Sequence, residues 1–151
     1  APMFIPGFGA FVRLKAYPAS PAEDARVGLA GPLWGLGAAL LCMGIGGITG
    51  SGLFSALAKV GAWINVFNMI PVWQLDGSRG FRALTRHHRI LIAALSGLLW
   101  FWTSETMLLI VALVAAWRCF TKDAPEKPDN VVFFQFAGLL AALSGVYYFT
   151  K

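Results

Sequence analysis

The chain has 151 residues, 58% of them hydrophobic and 13% charged, with a mean hydropathy of +0.67. Soluble domains carry about a quarter of their residues charged, so this composition excludes an ordinary water-solvated fold and points to helices surrounded by lipid or by one another. The net charge of +5 does not indicate a nucleic-acid partner, because the basic residues lie in short connecting segments without interleaved aromatics.

Residues 1–26 precede the first long apolar run. In "FIPGFGAFVRLKAYP", Phe11, Arg13 and Lys15 alternate with Val12, Leu14 and Ala16 between Pro and Gly turn signals. That period of two predicts a short strand over 11–15, half of a possible hairpin. In "PASPAEDAR", Ser20 is placed to cap a helix, with Pro21 at its first position and Glu23 and Asp24 in its first turn. This helix runs on into the apolar segment 27–49, which at ~1.5 Å per residue is long enough to cross a hydrocarbon core of ~30 Å. It is rich in glycine, and Gly31 and Gly35 form a G-x-x-x-G pair that suits close helix packing.

"TGSG" then makes a turn into a second apolar run, 53–70, which contains Lys59, Asn65 and Asn68 and is interrupted by Pro71. Proline removes a donor and restricts the residue before it, so the helix must bend or stop near there. The third run, 90–117, carries "TSET" at its middle and reads as one tilted helix or as two half-length helices in a re-entrant hairpin, with the hairpin preferred. Glu105 then falls in a loop or at a helix start. The last span, 131–149, ends in Tyr147, Tyr148 and Phe149, an aromatic cluster suited to a membrane interface. Cys42 and Cys119 lie in or beside apolar runs without metal-type spacing and read as small hydrophobes.

The basic segments set an expected topology. Arg79, Arg82, Arg86 and Arg89 in "RGFRALTRHHR" mark the best cytoplasmic candidate. Two crossings earlier, Arg13, Lys15 and Arg26 fall on the same side. A hairpin over 90–117 brings Arg118, Lys122 and Lys127 there too. The expected architecture is an all-α, polytopic transmembrane protein with a short β-strand or hairpin near its N-terminus. It divides into an N-terminal segment (1–26), a core with two transmembrane helices (27–89) and C-terminal transmembrane segments (90–151).

The chemistry concentrates in "INVFNMIPVWQLDGSRG". A carboxylate near the membrane costs a few kcal/mol and needs a partner or a wet cavity. One reading makes Asp76 a helix cap at the interface, or a partner of Arg79. The other makes it a site residue. Pro71 breaks the helix at membrane depth, which is tolerated where the loosened backbone is buried in protein or lines a cavity. Asn65 and Asn68, three apart, present their amides on one helical face.

"NVFNMIPVWQLDG" resembles the N-x-x-P-x-x-x-L-D-G signature of the site-2 proteases, intramembrane zinc metalloproteases, at Asn68, Pro71, Leu75, Asp76 and Gly77, with Asn65 one turn earlier. "VGLAGPLWG" (27–35) looks like the A-G-P segment of that family, and "MFIPGFGAFVRLK" like the loop and strand after its first motif. Together these cover about the first 80 residues. The resemblance implies that Asp76 is the carboxylate ligand of a catalytic Zn2+, and that Asn68, with Asn65 and Pro71 around it, holds the scissile peptide or its oxyanion. It further implies a transmembrane protein substrate within the lipid bilayer, cut by zinc-activated water, with the strand at 11–15 pairing with an extended substrate.

The family's H-E-x-x-H motif, source of two zinc ligands and the glutamate base, does not occur in this sequence. His87 and His88 are adjacent, lie among four arginines, and read as exposed basic-loop residues. The opening at Ala1 fits a chain cut downstream of that motif. The expectation is the later portion of a site-2 protease-like metalloendopeptidase, unable to hydrolyse peptides alone, whose other two zinc ligands come from outside this chain. A non-catalytic, protease-derived membrane protein that binds partner helices is the alternative. A small transporter or channel subunit with Asp76 on an aqueous path is the weakest reading, since there is no repeat and no second broken helix.

Overall fold

The computed structural model describes residues 3–5, 9–11 and 18–150. A two-stranded antiparallel ribbon pairs β1 (Met3–Ile5) with β2 (Gly9–Phe11). The strand expected over 11–15 lies, beyond Phe11, outside the described residues. Everything after it is helical: α1 (Pro21–Thr49), α2 (Gly52–Asn68), α3 (Asp76–Phe81), α4 (Arg86–Thr103), α5 (Thr106–Arg118) and α6 (Asn130–Phe149).

The local signals explain the boundaries. Ser20 accepts from the Glu23 amide at 3.2 Å and Pro21 opens α1. Gly50, at φ 68°, ends it. Helix α2 stops at Asn68, just short of Pro71. Ser104, in a left-handed conformation at φ 58°, ends α4, and Glu105 starts α5 by accepting from Met107 N at 3.3 Å. The run 90–117 is therefore two helices packed as an antiparallel pair. Arg89 at the start of α4 donates to the Arg118 carbonyl at the end of α5, at 2.9 Å.

Two helices, α1 with 29 residues and α6 with 20, are long and apolar enough to cross a membrane. The run 53–70 becomes α2, whose 17 residues rise ~26 Å. The bundle has two distinct ends. At one, Asp24 of α1 reaches Arg79 of α3, Arg89 of α4 reaches the end of α5, and His88 stacks on Phe133 of α6 at 4.6 Å. At the other, Trp102 of α4 stacks on Tyr148 of α6 at 4.6 Å, and Gly46 of α1 lies against Ser55 of α2. Helices α1, α4 and α6 thus run one way, and α2 and α5 return. The buried core threads Leu29, Ala62, Val66, Phe81, Ile92, Val111, Phe136 and Leu140 between them.

Among the described residues, every Arg and Lys except Lys59 belongs to the first end. The hairpin brings Arg118, Lys122 and Lys127 to the side of Arg26 and Arg79. One correction concerns the histidines. His87 is exposed, but His88 is 7% exposed and does not belong to a solvated loop. It sits in the first turn of α4, where packing against α6 takes its ring onto Phe133. Burial and the neighbouring His87 push its pKa down, against the pull of Asn130 and Asp129.

The basic end is tied by Arg89, which has no exposed surface. Its Nε donates to the Leu84 carbonyl and its Nη2 to the Phe81 carbonyl, both at 3.0 Å, and its Nη1 to Thr121 Oγ1 at 3.0 Å and Asp123 Oδ1 at 2.9 Å. The guanidinium cation thus lies at the C-terminal carbonyls of both α3 and α5, where a positive charge is favoured. Burial alone raises the Asp123 pKa, but hydrogen bonds from Arg89 and Thr121 and the charges of Arg89 and Arg118 outweigh it and hold the carboxyl well below its usual range.

Replacing Arg89 with Ala removes the side-chain donor to the buried Leu84 carbonyl, at ~1–3 kcal/mol, and leaves the Phe81 carbonyl with only the Leu84 amide. R89A should therefore lower the denaturation midpoint in detergent strongly, and R89K should not restore it, because an ammonium cannot reproduce the fork. Because the folded-state pKa of Asp123 is depressed, its contribution is fully present above the ordinary carboxylate pKa of ~4 and is lost as pH falls through the folded value. The stability gap between wild type and D123N should be flat from pH 7 to pH 5 and narrow in stronger acid; a gap that widened on acidification would contradict the assignment.

Candidate functional site

The loop between α2 and α3, residues 69–75, is a chain of tight turns. The Val72 amide donates to the Ile70 carbonyl at 2.8 Å and the Leu75 amide to the Val72 carbonyl at 3.3 Å. Trp73, at φ 57°, is in the left-handed region although it is a bulky non-glycine residue and its side chain is 86% exposed. Such a conformation costs ~1–3 kcal/mol and persists only where its surroundings impose it. One such constraint comes from α5: Arg118 Nη1 donates to the Pro71 carbonyl at 2.9 Å, while its Nη2 binds Asp123 Oδ2 at 2.6 Å. Pro71 itself is buried. The backbone loosened by this proline is therefore satisfied by protein.

Asp76 is the first residue of α3. It does not pair with Arg79. The Arg79 guanidinium instead donates to Asp24 Oδ1, from Nε at 2.8 Å and Nη2 at 2.5 Å, and Arg82 Nη1 reaches Asp24 Oδ2 at 3.3 Å. The Asp76 side chain is half-buried and makes no hydrogen bond or salt bridge among the described residues. Burial pushes its carboxyl pKa up, against the attraction of Arg79. This is a desolvated carboxylate waiting for a cation or a proton.

Helix α1 forms the wall opposite. A Cβ added at Gly31 would lie 2.8 Å from Asp76 Oδ2; one at Gly28 would lie 2.7 Å from the Arg79 Cβ; one at Gly35 would collide with the Asn65 amide. The three glycines share one face of α1, and Gly31 and Gly35 are ~6 Å apart along it. The structure thus brings Asn65 and Asp76 against a single smooth strip. Asn65 Nδ2 donates to the Gly61 carbonyl at 2.7 Å, which fixes the amide. Asn68, the last residue of α2, is half-buried and its side chain enters none of the hydrogen bonds among the described residues. Gly77 is required because any Cβ there would strike the Met69 carbonyl; the two ends of the loop touch at that point.

As a zinc ligand, Asp76 is the right donor type: a carboxylate, desolvated and without a hydrogen-bond or ion-pair partner among the described residues. It stands by itself, since no three His, Cys, Asp or Glu side chains converge on a common point among the described residues. His88 is committed to Phe133 and does not complete the set. Two features of the site were not legible from the motif. The G-x-x-x-G pair of α1 turned out to seat Asn65 and Asp76, and Arg118 turned out to hold the Pro71 carbonyl. The glycine spacing carried the first signal; nothing local to Arg118 carried the second. No protein-family model matches the chain, and no curated protein or solved structure matches it either.

The close approaches predict opposite effects for two similar changes. G77A should destabilise by ~1–3 kcal/mol, because the collision is with backbone. G37A, with nothing within 4 Å of its added Cβ, should stabilise by ~0.5–1 kcal/mol through helix propensity. Unfolding of both variants in detergent measures the contrast, and equal effects would remove the packing account of the L-D-G glycine.

Proposed function

We propose that this chain is an integral, multi-pass membrane protein and the carboxylate-bearing portion of an intramembrane zinc metalloendopeptidase of the site-2 protease type. The observation that carries the reading is Asp76: a desolvated carboxylate, left without an ion-pair partner among the described residues while a nearby arginine is engaged by another acid. The broken α2–α3 connection at the level of the motif and the amide of Asn65 beside it support the same reading.

The bilayer part of the proposal rests on surface and charge. Trp34, Leu41, Ile48, Phe101 and Phe134 are each at least 66% exposed, an apolar surface that suits lipid and not water. The basic residues gathered at one end fit a cytoplasmic face.

In this reading Asp76 supplies one ligand to Zn2+, and two histidines from outside the chain supply the others. The metal, when bound, provides Lewis acidity toward a peptide carbonyl and lowers the pKa of water. The chain's own residues position the substrate. Asn68, at the mouth of the break, offers an amide donor to a peptide oxygen. Asn65 is held in place by Gly61. Arg118, by holding the Pro71 carbonyl, fixes the loop that leads to Asp76, where a locally unwound transmembrane substrate would bind. A non-catalytic protein that binds partner helices along the same glycine-lined face is the second reading, favoured by the commitment of His88 to α6 instead of to Asp76.

The test uses the protein expressed from its complete reading frame and measures bound zinc. The wild type should retain zinc, and D76N should lower its affinity by at least ~10-fold. D24N, which breaks the Arg79 pair at the same end, should reduce stability and leave zinc content unchanged. Equal zinc in wild type and D76N would sink the ligand assignment, and a zinc-free wild type would favour the non-catalytic reading.

A further inference from the structure

A second recess lies away from Asp76, between α1 and α6. Its volume is about 300 Å³, and Arg26, Leu29, Leu33, Phe134, Gly138 and Leu139 are among the residues lining it. The two helices that form it are the two long and apolar enough to cross a membrane. Apart from Arg26 and Gln135, its walls are aliphatic and aromatic. At Gly138 an added Cβ would meet nothing within 4 Å, so the floor of the recess is open at that point.

Arg26 is the charged residue of this lining. It lies in the second turn of α1, at the basic end of the bundle, and is exposed. The acids nearest in sequence are engaged elsewhere: Glu23 accepts from the Ala19 amide, and Asp24 takes Arg79 and Arg82. Arg26 forms no salt bridge among the described residues. A cation without a counter-ion among the described residues stands at one level, and an apolar slot runs beside it along the helix axes. That is the charge and shape of one phospholipid, with its phosphate at the guanidinium and an acyl chain between the helices.

We propose that the α1–α6 recess is a binding site for a single anionic phospholipid, with Arg26 as headgroup ligand and Gly138 as the opening that admits the chain. The site rests on the reading that α1 and α6 lie in the bilayer, and it is independent of any role for Asp76. Arg26 selects charge; the slot selects a chain lying along the helices instead of a free phosphate ion. A lipid so held would bridge the first and last helices of the described bundle, whose Leu29 and Phe136 both lie against Gly80.

The probe is phosphatidylglycerol against phosphatidylcholine. Protein is reconstituted in nanodiscs of an equal mixture, and co-purified lipid is counted by native mass spectrometry. The wild type should retain one phosphatidylglycerol in preference to phosphatidylcholine. R26Q should lower that preference about fivefold, as expected for loss of one interfacial cation. G138L, which fills the slot at a position with room for a side chain, should abolish retention of both lipids while leaving the thermal melt unchanged. K127Q, at the same end but outside the recess, should change nothing. An equal loss in K127Q and R26Q would overturn the site in favour of diffuse surface charge, as would retention in G138L or wild-type occupancy without headgroup preference. Carbonate extraction of native membranes separates the two levels: release of the protein would remove the membrane reading itself, whereas a resistant protein without lipid preference would remove the lipid site alone. Inorganic phosphate added at millimolar concentration should not displace the lipid, and displacement would show that the slot contributes nothing.

Discussion

The guanidinium of Arg89 is the constraint on which the basic end depends. It has no exposed surface, yet its three nitrogens reach the carbonyls of Phe81, Leu84 and Arg118 and the side chains of Thr121 and Asp123. Burying a cation costs several kcal/mol unless nearly every donor is matched. Here the donors are matched by groups that themselves need partners, the last carbonyls of α3 and α5. Asp123 then passes the constraint on. It also binds Arg118 Nη2, and Arg118 Nη1 holds the Pro71 carbonyl. A continuous path of hydrogen bonds therefore runs from the α4–α5 pair to the loop that precedes Asp76.

The second constraint is steric. A bundle helix normally stands 8–10 Å from its neighbour, and side chains fill the gap. On the Gly28, Gly31 and Gly35 face of α1 there are none, so the side chains of Arg79, Asp76 and Asn65 occupy that space instead. This closeness desolvates the Asp76 carboxyl. Pro32, on the same stretch of α1, cannot donate to the carbonyl of Gly28. The strip facing Asp76 thus combines missing side chains with a missing backbone hydrogen bond.

What the sequence disclosed follows from the range of each interaction. Ser20, Pro21, Gly50 and Glu105 act within four residues of themselves, and the helix ends they predict are the ones observed. The break at "TSET" was readable for the same reason, although choosing two helices over one needed the left-handed Ser104. Asp76 was legible because a carboxylate in an apolar run is expensive wherever it points. His88 was not. Its surroundings in the sequence are basic and solvated, and its burial depends on Phe133, 45 positions later. Arg118 and Pro71 are likewise 47 positions apart, and no periodicity links a cation at one helix end to a carbonyl in another loop.

The arrangement of charge connects these pieces. Six of the seven acids among the described residues share an end with eight of their nine Arg and Lys, leaving only Glu105 and Lys59 beyond it. Most of those acids have structural duties: Asp24 binds two arginines, Asp123 two others, and Asp129 caps α6 through the Val132 amide at 3.0 Å. The two arginine pairings of Asp24 and of Asp123 neutralise charge that would otherwise have to be solvated. Asp76 is the acid at this end that is both desolvated and without a partner. A packed structure that satisfies its neighbours through specific arginines, and leaves this one carboxylate beside a strip of glycines, keeps that carboxylate available for a ligand.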